Sequence, residues 1–256
     1  MEVYKMNSYQ KEIVKIKHQG REIHGVSYMP DRKRKCPVVI FSHGFNGTNA
    51  DFAMNSDYLA KKGVGAFCFD FCGGSINSKS DLKTDEMSIF TEKDDLSAVI
   101  ETIKHWSNVD PDNIFLFGGS QGGLVSALVA DEYLEDIKGL LLLFPALGIP
   151  DDWNKRFPTI SSIPDTVELW GVRLGRKYFE SIHNYDVFNH IGKFDKNVLI
   201  FHGDQDDIVA LEYGKRAEMI YPNAELEVFS GEGHGFSEAG NKKVAEMTYE
   251  FIKKNI

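Results

Sequence analysis

The stretch Asn113–Gly123, NIFLFGGSQGG, constrains the fold of this chain more than any other. Ile114, Phe115, Leu116 and Phe117 form an apolar run without polar alternation, which suits a parallel strand covered on both faces. Gly118-Gly119-Ser120-Gln121-Gly122 follows at once, and Leu124–Ala130 then reads as helix. Strand, G-x-S-x-G and helix in succession describe a turn too tight for side chains at Gly118 and Gly122. Such a turn holds Ser120 in a strained backbone conformation with its hydroxyl exposed. Ser120 is therefore the candidate nucleophile. The alternative is a glycine-rich strand-to-helix turn with an idle serine, because so short a match also arises by chance.

Other segments repeat the rhythm of buried strand and amphipathic helix. Glu12–Lys17 and Glu22–Tyr28 alternate around Gln19-Gly20 and predict an opening antiparallel hairpin. Cys36–Ser42 is the first continuous apolar strand, and it runs into His43-Gly44-Phe45. A glycine-bearing turn at that place can be plain topology, but it is also where an acyl-transfer enzyme of this architecture keeps its second oxyanion donor. Asp51–Lys62 reads as a modest helix and Ala66–Phe71 as a strand. Thr91 with Asp94 resembles a capping box, with Leu96, Val99, Ile100, Ile103 and Trp106 on one helical face. Ile137–Phe144 and Asn197–His202 read as strands, Leu211–Ile220 as helix, Ala224–Phe229 as strand and Asn241–Ile256 as helix. Strands alternating with helices predict an α/β fold with a mostly parallel, doubly wound sheet and an antiparallel N-terminal edge, in one domain over residues 1–256.

Residues 147–192 break the rhythm. The segment is too long for an ordinary strand-to-helix connection and carries Pro150, Pro158 and Pro164, so it is expected to be an inserted cap or lid. Trp153, Phe157 and Trp170 within it are candidates for an aromatic substrate wall; the alternative is that they form the cap's own small core.

Composition narrows the function. A formal net charge of -9 disfavours nucleic acid and anionic membrane surfaces as partners. The basic run Arg32-Lys33-Arg34-Lys35 reads as a solvated loop. Three cysteines, Cys36, Cys68 and Cys72, make neither a metal spacing nor a paired framework. The N-terminal MEVYKMNSYQ lacks the apolar core of a signal peptide, and no apolar run approaches membrane-spanning length, so a cytoplasmic location is expected. No nucleotide-binding glycine motif is present and no cofactor is implied.

A serine hydroxyl is a weak nucleophile at neutral pH and needs an imidazole to take its proton, with a carboxylate to hold that imidazole in the right tautomer. His234, between Gly233 and Gly235 after a predicted strand, is the candidate base. His43 and His202 also end central strands but break the expected chain order of serine, acid and base. For the acid, Asp204, Asp206 and Asp207 are neighbours. A metal loop of aspartates is the alternative, but no glutamate at the right distance completes it.

His43-Gly44-Phe45, Gly118-x-Ser120-Gln121-Gly122-Gly123, His202-Gly203-x-x-Asp206-x-x-Val209 and Gly233-His234-Gly235-Phe236 together resemble the α/β-hydrolase superfamily, and especially its feruloyl and cinnamoyl esterase branch. The resemblance covers nearly the whole chain in order. It implies that Asp206 is the acid, that the cap precedes the strand carrying it, and that esters of ferulic and p-coumaric acids are the substrates of a serine carboxylesterase. Ser120, Asp206 and His234 are then the triad, with the backbone N–H groups of Phe45 and Gln121 as the oxyanion hole. Two places depart from the family pattern: Gly119 stands where these esterases usually have histidine, and Cys72-Gly73-Gly74-Ser75 replaces their usual glycine-histidine-glycine loop. The competing expectations are a peptidase of the prolyl-oligopeptidase kind, a lipase-like enzyme or a thioesterase with the same triad, and a non-catalytic binding module. The expected partner is a small-molecule ester, and a homodimer is left open.

Overall fold

In a computed structural model of the chain, residues 8–31 and 34–256 are described. Most of the stretch read for a signal peptide, together with Arg32 and Lys33 of the basic run, lies outside them. The chain opens with the hairpin β1 (Tyr9–His18) and β2 (Arg21–Pro30), turning at Gln19 and Gly20, both at positive φ. There follow β3 (Cys36–Ser42), α1 (Ala53–Lys61), β4 (Gly65–Phe69), α2 (Ile89–Ile103), β5 (Val109–Gly119), α3 (Gln121–Ala130) and β6 (Ile137–Leu143). The chain then leaves the sheet for α4 (Ile149–Arg156), the hairpin β7 (Thr166–Leu169) and β8 (Val172–Gly175), and α5 (Arg176–Ser181). It returns with β9 (Val198–Gly203), α6 (Leu211–Ile220), β10 (Ala224–Phe229) and α7 (Glu238–Asn255).

Among the described residues, eight strands form one sheet in the order β1-β2-β4-β3-β5-β6-β9-β10. From β4 to β10 neighbours are parallel, and β2 runs against both β1 and β4. The continuous apolar runs occupy the centre because each is covered on both faces: Val38–Phe41, Ile114–Phe117 and Leu140–Leu143 are all buried. One face packs against α2, α3 and α6, the other against α1 and α7. Fully burying each such side chain contributes about 1.5–3 kcal/mol, so these strands anchor the sheet.

This winding fixes where a site can form. From β3 the chain goes outward to β4 and then returns past β3 to β5, so strand order reverses between β3 and β5. Ligands of open α/β sheets bind beyond the C-terminal ends of the strands at such a reversal. Ser42 at the end of β3 lies opposite Gly118 near the end of β5, which brings the His43-Gly44-Phe45 turn against the Ser120 turn.

Several local features differ from expectation. The capping box of α2 is Ser88 with Thr91, not Thr91 with Asp94: the extended Ser88 accepts from Thr91 N–H, and Thr91 Oγ1 accepts from Ser88 N–H. Helix α2 ends at Ile103, and Trp106 packs edge-on against Phe67 beyond it. Segment 147–192 contains the unexpected hairpin of β7 and β8, whose two turn residues, Trp170 and Gly171, both have positive φ. That geometry matches strand twist, but it is costly for an aromatic residue and therefore obscure to sequence patterning.

Candidate active site

Ser120 lies between β5 and α3 at φ 51°, a conformation in which a side chain is strained. Local packing leaves the chain little alternative. A Cβ on Gly118 would approach the Gly122 carbonyl oxygen to 2.2 Å, and one on Gly122 would approach the carbonyl oxygens of Ser42 and His43 to 2.3 Å each. Those contacts are with backbone, which cannot yield. Gly122→Ala should therefore cost several kcal/mol of stability, on the scale of severe overpacking. Urea unfolding read by circular dichroism checks this, and a midpoint near that of the parent chain would contradict it.

Ser120, Asp206 and His234 come together although they are far apart in sequence. His234 Nε2 lies 3.0 Å from Ser120 Oγ, and His234 Nδ1 lies 2.9 Å from Asp206 Oδ2. Phe144 packs on the His234 ring at 4.5 Å between centroids. Asp206 Oδ1 accepts from the N–H groups of Ile208 and Val209 at 3.0 and 2.8 Å, which fixes the buried carboxyl group and turns Oδ2 toward the imidazole. Its neighbours face elsewhere: Asp204 accepts from Gly231 N–H at 2.7 Å, and this bond holds its carboxyl below the usual range. Asp207 lines the cavity without joining the chain of hydrogen bonds.

Two histidines set aside on chain order brace this arrangement. Phe71 N–H donates to His43 Nε2 at 3.0 Å, so the proton of that buried ring sits on Nδ1, which donates to the Gly44 carbonyl at 2.7 Å. Burial holds the His43 pKa low and the ring neutral. The Gly44 carbonyl and the Phe45 N–H share one trans peptide plane, so turning the former toward His43 turns the latter the opposite way. His202 Nε2 lies 2.9 Å from the Val209 carbonyl and 3.4 Å from Asp206 Oδ2, again with a pKa lowered by burial. The only sequence signal for either is a histidine at the end of a buried strand with glycine next. Among the described residues, neither the Phe45 N–H nor the Gln121 N–H donates to a protein acceptor. Gln121 begins α3, so its N–H also carries the positive end of the helix dipole.

Above Ser120 lies a cavity of about 960 Å³. Segment 147–192 contributes Trp153, Leu169, Trp170 and Tyr178 to its walls, opposite Phe45 and Phe144. Trp170 is 67% exposed and meets Phe45 edge-on at 5.9 Å. Phe157 needs correction: it is not among the lining residues and packs behind the wall on Trp153 and Phe179, at 5.9 and 5.5 Å. Trp153 and Phe179 cover part of its ring, which is half-buried.

Fold and site together define an α/β hydrolase. The chain belongs to the family described as serine aminopeptidase, S33, whose model matches residues 33–180. That match contains Ser120 and the Phe45 turn and stops short of Asp206 and His234. Among solved structures, the one of ferulic acid bound to Est1E from Butyrivibrio proteoclasticus is 28% identical, with a TM-score of 0.86 over 94% of this chain and 98% of that one. A putative alpha/beta hydrolase of Acanthamoeba polyphaga mimivirus is 22% identical over 213 residues, 82% of this chain and 70% of that protein. A non-heme chloroperoxidase of Kitasatospora aureofaciens is 38% identical over 72 residues, 27% of this chain, and the match spans only 26% of that protein's length. Among the described residues no helix is long and apolar enough to cross a membrane.

Proposed function

We propose that this chain is a serine carboxylesterase that hydrolyses esters of hydroxycinnamic acids, with residues 147–192 as its cap. The observation that carries the reading is the unbroken hydrogen-bonded chain from Asp206 through His234 to Ser120. Ser120 Oγ attacks the ester carbonyl while its proton passes to His234 Nε2, and Asp206 stabilises the imidazolium. The carbonyl oxygen becomes an oxyanion held by the N–H groups of Phe45 and Gln121. Collapse of that intermediate breaks the bond to the alcohol oxygen, which leaves with the proton from His234. Water, deprotonated by His234, then attacks the acyl-enzyme, and a second collapse frees the acid and Ser120.

The acyl preference rests on two supports. The cavity is walled by Phe45, Phe144, Trp153 and Trp170, which suits a flat aromatic acyl group. The similar Est1E is described with ferulic acid bound. A second reading, cleavage of a peptide bond after a free amino terminus, is favoured by the family description and by the carboxylates of Asp152 and Asp207 in the cavity. Rates on methyl ferulate, methyl p-coumarate, p-nitrophenyl acetate, an acyl-CoA and an aminoacyl p-nitroanilide separate the readings. The esterase reading expects the hydroxycinnamates to have the highest kcat/KM; a higher value for the anilide replaces it with the peptidase reading.

Trp170→Ala should lower kcat/KM for methyl ferulate on the order of tenfold and that for p-nitrophenyl acetate less than threefold, since only the larger acyl group needs the wall. Equal losses on both substrates would remove Trp170 from substrate recognition.

A further inference from the structure

We propose that Glu92 is a positioning residue for the oxyanion hole, acting on the donor of Gln121 through that residue's side chain. The proposal rests on the reading of the Gln121 N–H as an oxyanion donor. Gln121 lines the cavity at the start of α3, and its side chain lies in the interior, where the residue is 2% exposed. There Nε2 donates to Glu92, 2.9 and 2.8 Å from the two carboxyl oxygens, and Oε1 accepts from the Tyr178 hydroxyl at 2.8 Å. With both ends of the amide engaged and no room to move, the rotamer is locked, and the first turn of α3 is tethered to α2 and α5.

Glu92 also borders the loop next to the other donor's turn. A Cβ on Gly74 would lie 3.1 Å from Glu92 Oε1 and 3.1 Å from His43 Cε1, so both side chains border Gly74. The Gly74 carbonyl accepts from Asn46 N–H at 3.0 Å, immediately after Phe45. A single buried carboxyl thus holds the Gln121 side chain on one side and borders, on the other, the Gly74 loop to which Asn46 is bonded. Nothing in the Ser120, His234 and Asp206 chemistry uses it.

Its charge has a direction. Burial pushes the Glu92 carboxyl up to about 8, the Gln121 bond opposes this, and the charge of Asp95 adds to it. The groups that face it are Asp95 one turn along α2, itself pushed up to about 6 by burial and ion-paired with Arg21 of β2 at 3.4 Å, His43 from the β3 turn, Tyr178 from α5 and the uncharged Gln121 from α3. Burial therefore favours the neutral form of Glu92, which ionises as pH rises through about 8. A buried anion behind the Gln121 donor then opposes the negative charge that builds on the oxyanion.

The test uses the full chain with p-nitrophenyl acetate from pH 6 to 9.5, corrected for background hydrolysis, on the parent, Glu92→Gln, Glu92→Leu and Tyr178→Phe. The parent kcat should fall as pH rises through about 8. Glu92→Gln, which keeps the shape and cannot ionise, should stay within threefold of the parent at pH 7 and lack that fall. Glu92→Leu should lose roughly 10- to 100-fold in kcat at pH 7 with KM within threefold, as loss of a transition-state donor does. Tyr178→Phe should fall between these. An alkaline decline in Glu92→Gln equal to the parent's, or a Glu92→Leu loss confined to KM or absent, overturns the proposal. If Glu92→Leu does not fold, the Glu92→Gln profile still decides. Fluorophosphonate labelling of Ser120 in the parent is run alongside: failure there sinks the esterase reading itself, whereas normal labelling with an unaltered profile sinks only the role of Glu92.

Discussion

Ser120→Ala and His234→Ala should each lower kcat on the order of 10⁶-fold, with circular dichroism spectra like the parent's. The size follows from how such a unit works. Without the hydroxyl no acyl-enzyme can form, and without the imidazole the hydroxyl keeps its proton, so either loss disables both. In subtilisin, removing the serine or the histidine alone costs about as much as removing the whole triad, and the same non-additivity is expected here. His234→Ala with Ser120→Ala should therefore be no slower than either alone. The residual activity would come from binding and the oxyanion donors, which neither substitution touches. A fluorophosphonate should label Ser120 in the parent, and not in Ser120→Ala, with the adduct located by peptide mass. Labelling at another serine, or activity that survives Ser120→Ala, would remove the proposed mechanism.

The elbow was legible in the sequence because its constraints are local. Gly118 and Gly122 are demanded by backbone atoms within a few residues or on the neighbouring strand, and a continuous apolar run marks that strand without further information. The central strands were legible for the same reason, and their ends fall within a few residues of expectation. What escaped depends on contacts between distant elements. His43 was set aside as the base on chain order, and its bracing role was hidden because its partner Phe71 meets it only when β3 and the loop after β4 lie side by side. Glu92 gave no sign at all, since a glutamate in the first turn of a helix is ordinary until three neighbours enclose it. Phe157 differs in the opposite sense: its type and place suited a wall, but its ring packs on Trp153 and Phe179 and is not among the residues lining the cavity. The place of Asp206 among three aspartates came from family register, and its physical reason is the pair of N–H groups that turn it inward.

That pair of N–H groups also sets what Asp206→Asn should do. Asn Oδ1 can replace the carboxylate oxygen that accepts from Ile208 and Val209, so the loop should keep its shape. The amide nitrogen must then occupy the position of Oδ2, 2.9 Å from His234 Nδ1. An NH₂ group there can only donate, which obliges Nδ1 to accept and places the ring proton on Nε2. In that tautomer Nε2 faces Ser120 with a proton already on it and cannot take another, and a protonated ring would have lost its counter-charge. A decrease in kcat of roughly 10⁴-fold with little change in thermal stability is expected, the scale seen when the acid of a serine protease triad is converted to its amide. The His202 ring, whose Nε2 lies 3.4 Å from the same oxygen, would meet a second donor there, which adds to the misalignment and not to the repair. Asp204→Asn and Asp207→Asn should stay within about tenfold of the parent, since neither carboxylate touches the imidazole. Measurement of kcat for the three amides on p-nitrophenyl acetate, together with their rates of fluorophosphonate labelling, makes the comparison. A larger loss in Asp207→Asn than in Asp206→Asn would show that the acid orienting His234 in the working enzyme is not the one that faces it here.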